Sequence, residues 1–118
     1  MTPEEHFAGH PFAEAVFTWT RDVLERLGPC EVRVTKSQIA FRRRRGFAYV
    51  WMPGRYLAHP AAEVVLSVSL PRHDPSPRFK EVVHPTSQQW LHHLEVQDLA
   101  ELGEEVEEWL AESYGAAG

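Results

Sequence analysis

Hydrophobic residues recur every three or four positions in two stretches of the chain, which is the spacing of an amphipathic helix. The first stretch ends at Gly28 and Pro29, and its apolar members are Phe12, Val16, Trp19, Val23 and Leu27. The second follows Asp98 and Glu101, whose spacing resembles a capping box, and its apolar members are Leu99, Leu102, Val106, Leu110 and Tyr114. We therefore predict one long helix near each end of the chain.

Between these helices, apolar residues alternate with polar ones, which is the period of a β-strand. The predicted strands are Glu31–Thr35, Ile39–Phe41, Phe47–Met52, Val64–Leu70, Phe79–Val83 and Trp90–Val96. In Val64–Leu70 the even-numbered residues are large and apolar, and the opposite face carries the small residues Ser67 and Ser69. The segment Phe47–Met52 is apolar on both faces, so the pattern leaves open which of its faces is buried.

The order of helix, strands and helix predicts an α+β fold, with an antiparallel sheet of five or six strands and an N-terminal and a C-terminal helix packed on one face. At 118 residues the chain has the size of one domain, spanning residues 1–118. Thr2 and Pro3 favour a short helix within residues 1–10, since Thr is a good N-cap and Pro is tolerated in the first turn. Residues 115–118 are expected to fray.

Charge is distributed unevenly along the sequence, whose net charge is −5. Residues 31–80 contain eight Arg and two Lys against three acids, a net charge of +7, whereas residues 81–118 contain nine acids and no Lys or Arg. Such segregation indicates a charged partner. The densest positive segment is Arg42–Arg45, which with Gly46 is predicted to form a hairpin turn in which the glycine takes a positive φ.

Three interpretations of the run Arg42–Arg45 remain open. Guanidinium groups are planar forks of donors, so the turn could contact phosphates. It could instead face the acidic C-terminal helix, within one chain or across a dimer, and relieve like-charge pairs such as Glu104 and Glu108. The third interpretation is a solvated turn. A pI near 5.8 and the lack of a zinc finger or RNP-type aromatic signature argue against a dedicated nucleic-acid binder.

Several segments of the chain resemble a known family. They are Val34–Phe41, Gly46–Val50, Arg78–Lys80, His93–Val96 and Trp109–Tyr114. Together they resemble the domain of unknown function (DUF) 5655 family, over nearly the whole chain. The resemblance implies a small α+β module and brings no assigned activity. The four-arginine turn is more basic than the family leads us to expect, so arguments from it concern this sequence alone.

Several classes of protein are disfavoured by composition. Cys30 is the single cysteine, so an intrachain disulfide is excluded. No apolar run approaches the ~20 residues needed to cross a bilayer, and the first residues lack the features of a signal peptide. We therefore expect a cytoplasmic protein that does not associate with membranes. His92 and His93 point to opposite faces of a predicted strand, and we expect neither a metal ion nor a cofactor.

A groove on the sheet face away from the helices is the best candidate binding site. If the even-numbered residues of Val64–Leu70 face the helices, Ser67 lies on the other face, where Tyr49, Trp51, Arg33 and His93 join it if the aromatic residues lie outside the core. The alternative places those aromatic residues in the core. The full set of candidate ligand-binding residues is Arg33, Lys36, Arg42, Arg43, Arg44, Arg45, Tyr49, Trp51, Ser67, Arg78 and His93.

These observations favour a non-enzymatic binding module for an anionic small molecule or nucleic acid, because the charge segregation comes without a catalytic motif. One alternative is a self-associating domain that forms a homodimer through its second apolar sheet face. Another is a small hydrolase-like enzyme using Ser67 and His93, with Asp98 as a formal third member of a triad. The enzyme requires Ser67 and His93 to converge in a cleft.

Overall fold

A computed structural model describes all 118 residues. The helices are α1 (Pro3–His6), α2 (Pro11–Leu27) and α3 (Glu104–Ala116). The strands are β1 (Glu31–Val34), β2 (Ile39–Arg42), β3 (Gly46–Trp51), β4 (Val64–Leu70), β5 (Glu81–Thr86) and β6 (Gln89–Val96). Two 3₁₀ turns span Pro53–Arg55 and Leu99–Glu101. None of the helices combines the length and the hydropathy required to span a bilayer.

The six strands form one antiparallel sheet in the order β1-β2-β3-β4-β6-β5. From β4 the chain passes to the outer strand β5 and returns through β6, which pairs with both. Helices α2 and α3 contact each other, and both contact β3 and β4. This arrangement confirms the predicted α+β fold with two long helices on one face of an antiparallel sheet. The other face, which we call the open face, carries neither long helix.

The alternation of side chains in β4 and β3 decides which face is which. Leu66 and the other even-numbered residues of β4 belong to a core of 24 buried residues, together with Ala48 and Val50 of β3. Tyr49 and Trp51 therefore point to the open face, where both are partly buried. Tyr49 and Trp51 thus lie outside the main core, which the sequence pattern could not decide, whereas Phe47 at the start of β3 is buried within it.

The buried stripe of α2 is rotated from the predicted one. Its buried residues are Ala13, Val16, Phe17, Thr20, Val23 and Leu24. Phe17 is central because its ring stacks on Phe41 of β2, with the ring centroids 5.7 Å apart. Leu27, which the pattern placed in the stripe, is 41% exposed because the helix ends there.

The predicted fifth strand was placed two residues too early. It was expected to begin at Phe79, but β5 begins at Glu81. Phe79 lies in the preceding loop, where its ring contacts Trp109 of α3 at a centroid distance of 4.4 Å. The apolar side chain therefore closes the core from a loop rather than from the sheet.

Gly46 does not have the positive φ predicted for it, since positive φ values occur only at Gly9 and Gly28. A close approach requires this glycine instead. A Cβ atom at Gly46 would collide with the hydroxyl of Tyr49, which lies along the open face toward the hairpin. The glycine therefore leaves room for an aromatic side chain of the candidate site.

The C-terminal region is divided at Gly103. Asp98 accepts a hydrogen bond from the N–H of Ala100 and caps the 3₁₀ turn, whereas α3 begins only at Glu104. The predicted single helix is therefore two elements. The sequence led us to expect a frayed end, whereas α3 continues to Ala116 and the next residue, Ala117, is buried.

His92 is a polar residue buried in the core, on the helix-covered face of β6. Its Nδ1 lies 2.9 Å from the carbonyl of Trp90, and its Nε2 accepts a hydrogen bond of 3.0 Å from the N–H of Asp74. One ring nitrogen therefore donates and the other accepts, which is the pattern of a neutral imidazole. Burial lowers the pKa of His92.

We expect the protein to lose stability as the pH falls below about 6.5, the pKa of a histidine in an unfolded chain. Burial lowers the pKa values of His6, His92 and His93 in the folded chain. Between these lowered pKa values and about pH 6.5, the unfolded chain binds protons that the folded chain does not. The free energy of unfolding therefore increases with pH in this range and levels off above about 6.5. Urea unfolding between about pH 5 and pH 7.5, above the carboxylate range, measures this slope.

The variant His92→Gln separates one of the three contributions. The substitution removes a group whose pKa differs between the folded and the unfolded chain. The free energy of unfolding of the variant should therefore change less with pH than that of the wild type. A slope identical to that of the wild type would contradict the assignment of His92 as a buried neutral histidine.

Candidate functional site

One row of directly paired residues crosses all six strands. In strand order its members are Arg33, Ala40, Tyr49, Ser67, His93 and Glu81. Tyr49, Ser67 and His93 occupy three adjacent strands, and paired side chains on one face of a sheet lie about 5 Å apart at their Cβ atoms. The row therefore brings together three of the predicted site residues in the middle of the open face.

Ser67 joins Trp51 to His93 through hydrogen bonds. The indole Nε1 of Trp51 donates to Ser67 Oγ at 2.8 Å, and Ser67 Oγ lies 2.6 Å from Nδ1 of His93. Ser67 is only 1% exposed and has no other side-chain partner. Its hydroxyl hydrogen is satisfied only if it is donated to Nδ1, because a buried unpaired donor costs about 1–3 kcal/mol. The network therefore places the proton of His93 on Nε2.

Burial lowers the pKa of His93, the repulsion of the neighbouring His92 acts in the same direction, and the negative charge of Glu81 opposes them. His93 is consequently neutral at neutral pH. Its Nε2 has no partner within the chain and is not a buried unsatisfied atom. The ring therefore presents one N–H donor toward solvent while its other nitrogen accepts from Ser67.

A cavity of about 460 Å³ lies over this part of the open face. Its lining residues are Ser37, Gln38, Tyr49, Trp51, Tyr56, Ser67, Leu91 and His93. The Trp51 ring lies between Tyr56 and His93, at centroid distances of 6.3 Å and 5.7 Å. We call this cavity the groove. Four of the predicted residues, Tyr49, Trp51, Ser67 and His93, meet in it.

Arg42 and Arg45 lie close enough to Tyr49 to act on it, although neither lines the groove itself. Burial raises the pKa of Tyr49, while the positive charges of Arg42 and Arg45 act in the opposite direction. Both guanidinium groups are therefore near enough to act on the phenol electrostatically. The Tyr49 hydroxyl has no hydrogen-bond partner in the chain and is not a buried unsatisfied group, so it is open to a ligand. These three residues form what we call the cationic end.

The arginines differ in what their guanidinium groups contact. Those in ion pairs are Arg21, Arg26, Arg33, Arg72 and Arg78. Arg43 and Arg55 donate to backbone carbonyls. The guanidinium groups of Arg42, Arg44 and Arg45 have neither an ion pair nor a hydrogen bond within the chain, and the Nε of Arg45 is buried without a partner.

The four-arginine turn does not pair with the glutamates of α3, so that interpretation is wrong for contacts within the chain. The turn contacts the C-terminal end of α3: Arg43 donates to the carbonyl of Tyr114 at 2.8 Å, and the N–H of Arg44 donates to that of Ala117 at 2.9 Å. A cation is favourable at this end of a helix. The glutamates Glu105, Glu107 and Glu112 pair instead with Arg78, Arg26 and Arg72.

Seven predicted site residues do not line the groove: the run Arg42–Arg45 described above, and Arg33, Lys36 and Arg78. Arg33 is at the β1 edge and pairs with Glu31 at 2.8 Å. Arg78 bonds to Glu105 and to the Glu101 carbonyl beside α3. Lys36 precedes the lining residue Ser37 but does not itself line the cavity.

The other residues that could serve in catalysis or metal binding do not form a site together. Asp98 caps a 3₁₀ turn and does not complete a triad with Ser67 and His93. Burial raises the pKa of the Cys30 thiol, which disfavours the nucleophilic thiolate. No group of three or more His, Cys, Asp or Glu residues is arranged to hold a metal ion.

Sequence reasoning missed four lining residues of the groove. Leu91 shares the face of His93 by strict alternation and could have been found from that signal. Gln38 is likewise two residues before Ala40, which lies on the open face. Tyr56 and Ser37 lie outside the strands, joined by a hydrogen bond from the Tyr56 hydroxyl to the Ser37 carbonyl, and no periodic pattern marks them.

Comparison with known proteins identifies the family of this chain. The family model of the domain of unknown function DUF5655 matches residues 4–117. The match covers nearly the whole chain, and the chain therefore belongs to the DUF5655 family. No curated protein and no solved structure matches the chain.

The hydrogen-bond network predicts opposite tautomers for two adjacent histidines. His93 should be protonated at Nε2, because Nδ1 accepts from Ser67, whereas His92 should be protonated at Nδ1, because Nε2 accepts from Asp74. Ring-nitrogen chemical shifts measured by NMR at neutral pH distinguish the two forms.

The variant Ser67→Ala is the matched control for this assignment. This variant should lose the preference of His93 for protonation at Nε2, and the tautomer of His92 should remain unchanged. A wild-type His93 protonated at Nδ1 would contradict the hydrogen-bond polarity derived for the groove.

Proposed function

We propose that this member of the DUF5655 family is a small binding module whose groove holds a planar ligand with an anionic group. The anionic group lies at the cationic end, near the Tyr49 hydroxyl, Arg42 and Arg45. The planar part lies along the aromatic side chains of the groove. A free Cys30 without a disulfide fits a reducing compartment, and the proposal includes a cytoplasmic location.

The observation that carries the proposal is the unneutralised charge of Arg42 and Arg45. Every arginine outside the run Arg42–Arg45 has a partner in the chain, either a carboxylate or a backbone carbonyl. Arg42 and Arg45 have none, although both act on Tyr49, which lines the groove. Charged donors without partners, close to a residue that lines a cavity, favour an anion as the missing partner.

The shape of the groove supports a ligand with a flat apolar part. A volume of about 460 Å³ is within the range of small-molecule sites, about 300–1,000 Å³. Tyr49, Trp51, Tyr56 and Leu91 supply the apolar surface, while His93 offers an N–H donor. No carboxylate lines the cavity. The lining residues therefore carry no negative charge that would repel an anionic ligand.

A small molecule fits these features better than nucleic acid. The positive charge is confined to one loop, and the chain as a whole has a net charge of −5. Arg26, Arg72 and Arg78, which could have widened a basic surface, are neutralised by α3. A nucleic-acid site needs a basic stripe that follows several phosphates.

We expect 2-naphthoate and 2-naphthyl phosphate to bind at low salt. The neutral 2-naphthamide should bind at least about tenfold more weakly, because a hydrogen bond to a charged group contributes about 1.5–3 kcal/mol. The double variant Arg42→Gln/Arg45→Gln should weaken binding of both anions by a similar factor. Isothermal titration calorimetry measures the affinities. Added salt should reduce them, since exposed charges are screened.

The variant Arg33→Gln is the matched control, because Arg33 belongs to the same cross-strand row but pairs with Glu31 at the sheet edge. Its affinity should equal that of the wild type. Equal binding of 2-naphthamide, or no binding of either anion, would overturn the proposal. Sedimentation of the same samples reports on self-association, and a dimer that dissociates in the arginine variant would favour the alternative of a self-associating domain.

A further inference from the structure

We propose that Ser67 is a nucleophile that accepts an acyl group from an aryl ester, with His93 as its general base. This activity goes beyond ligand binding, because it requires a covalent step at the floor of the groove. It needs neither the cationic end nor an anionic substrate. The proposal of ligand binding and the proposal of acylation can therefore be disproved separately.

The contact between Ser67 and His93 is the first support. An Oγ–Nδ1 distance of 2.6 Å is at the short end of the range required between a nucleophile and its base. The two residues are direct partners in neighbouring strands β4 and β6, so the rigid centre of the sheet holds them together. This is the convergence that a hydrolase-like use of the pair requires.

The polarity of the hydrogen bond is the second support. Since Trp51 can only donate, Ser67 accepts from it and donates its own hydrogen to Nδ1 of His93. The hydroxyl proton therefore already points at the atom that must receive it. A Ser67 that only accepted hydrogen bonds would not be poised for attack.

The surroundings of His93 support its role as a base. Burial keeps the ring neutral, and Glu81, its partner on β5, lies near enough to favour the imidazolium that forms during attack. Other titratable groups on the same face are Tyr49 of β3 and Glu95 of β6. Glu81 has no hydrogen bond to His93, so we assign it as a positioning residue that acts through charge.

The groove gives an ester access to the serine. Ser67 lines the cavity floor, and the surrounding aromatic side chains suit an aromatic leaving group. Ser67 is only 1% exposed, so the acyl carbon reaches Oγ from the cavity only when the side chains that cover the hydroxyl move aside. The Nε1–H of Trp51 donates to Oγ at 2.8 Å and thereby holds the hydroxyl with its hydrogen directed at His93.

The proposed step balances without a co-reactant. The Oγ–acyl bond forms, the bond from the acyl carbon to the aryl oxygen breaks, and the hydroxyl proton moves from Oγ to Nδ1 of His93. The proton is then transferred to the departing aryloxide. Water hydrolyses the acyl-serine by the reverse proton path, which returns Ser67 and releases the acid.

Incubation with p-nitrophenyl acetate tests the proposal on the chain of 118 residues carrying Cys30→Ser, which removes the competing thiol. Intact-mass and peptide mass spectrometry should find one acetyl group, located at Ser67. The variant Ser67→Ala should lose it, and His93→Gln should slow its formation by about 100-fold or more, as expected for loss of a general base. Ser69→Ala is the matched control, because Ser69 lies on the same strand and face, and it should react normally.

Two results would overturn the proposal: no acetyl group at Ser67 in the peptide map of the Cys30→Ser chain, or equal acetylation of Ser67 when His93 is also replaced. The peptide map needs only the Cys30→Ser chain. It therefore shows whether Ser67 is acetylated even if the variant Ser67→Ala fails to fold. In Glu81→Gln the midpoint of the rate against pH should move to lower pH, because Glu81 raises the pKa of His93. An unchanged midpoint would contradict the role of Glu81.

Discussion

Strand β4 holds its side chains in two different environments, and both the core and the groove depend on that division. Its even-numbered residues fill the core beneath α2 and α3, while Ser67 and Ser69 face the other way beneath the side chains of the open face. Because antiparallel pairing fixes the register, Ser67 must lie between Tyr49 and His93. A register shift of one residue would exchange the two faces and destroy the core and the groove together.

The periodic parts of this arrangement could be predicted from the sequence. Alternation placed Ser67 and His93 on one face, and the helical spacing located α2 and α3. Interactions that depend on the assembled fold could not be predicted. The two-sided apolar pattern of β3 left its orientation open until β4 was placed beside it, Phe79 contributes to the core from a loop, and Gly46 is required by the approach of Tyr49 rather than by its own backbone.

Charge segregation along the sequence is only partly preserved in space. Arg72 and Arg78 belong to the positive segment, yet both pair with glutamates of α3, because the connection from β4 to β5 passes beside that helix. The run Arg42–Arg45 is instead at the C-terminal end of α3, where it meets carbonyls rather than carboxylates. A linear count of charges therefore overstated the basic surface, and the cationic end of the groove is what remains of it.

The central claim is that the open face, and not the helix layer, is the functional surface of this protein. Chemical-shift mapping by NMR during a titration with 2-naphthoate tests it most directly. The account predicts saturable shifts at the backbone amides of Tyr49, Ser67 and His93 and at the side-chain Nε of Arg45. Shifts confined to α2 and α3, or shifts that never saturate, would contradict it.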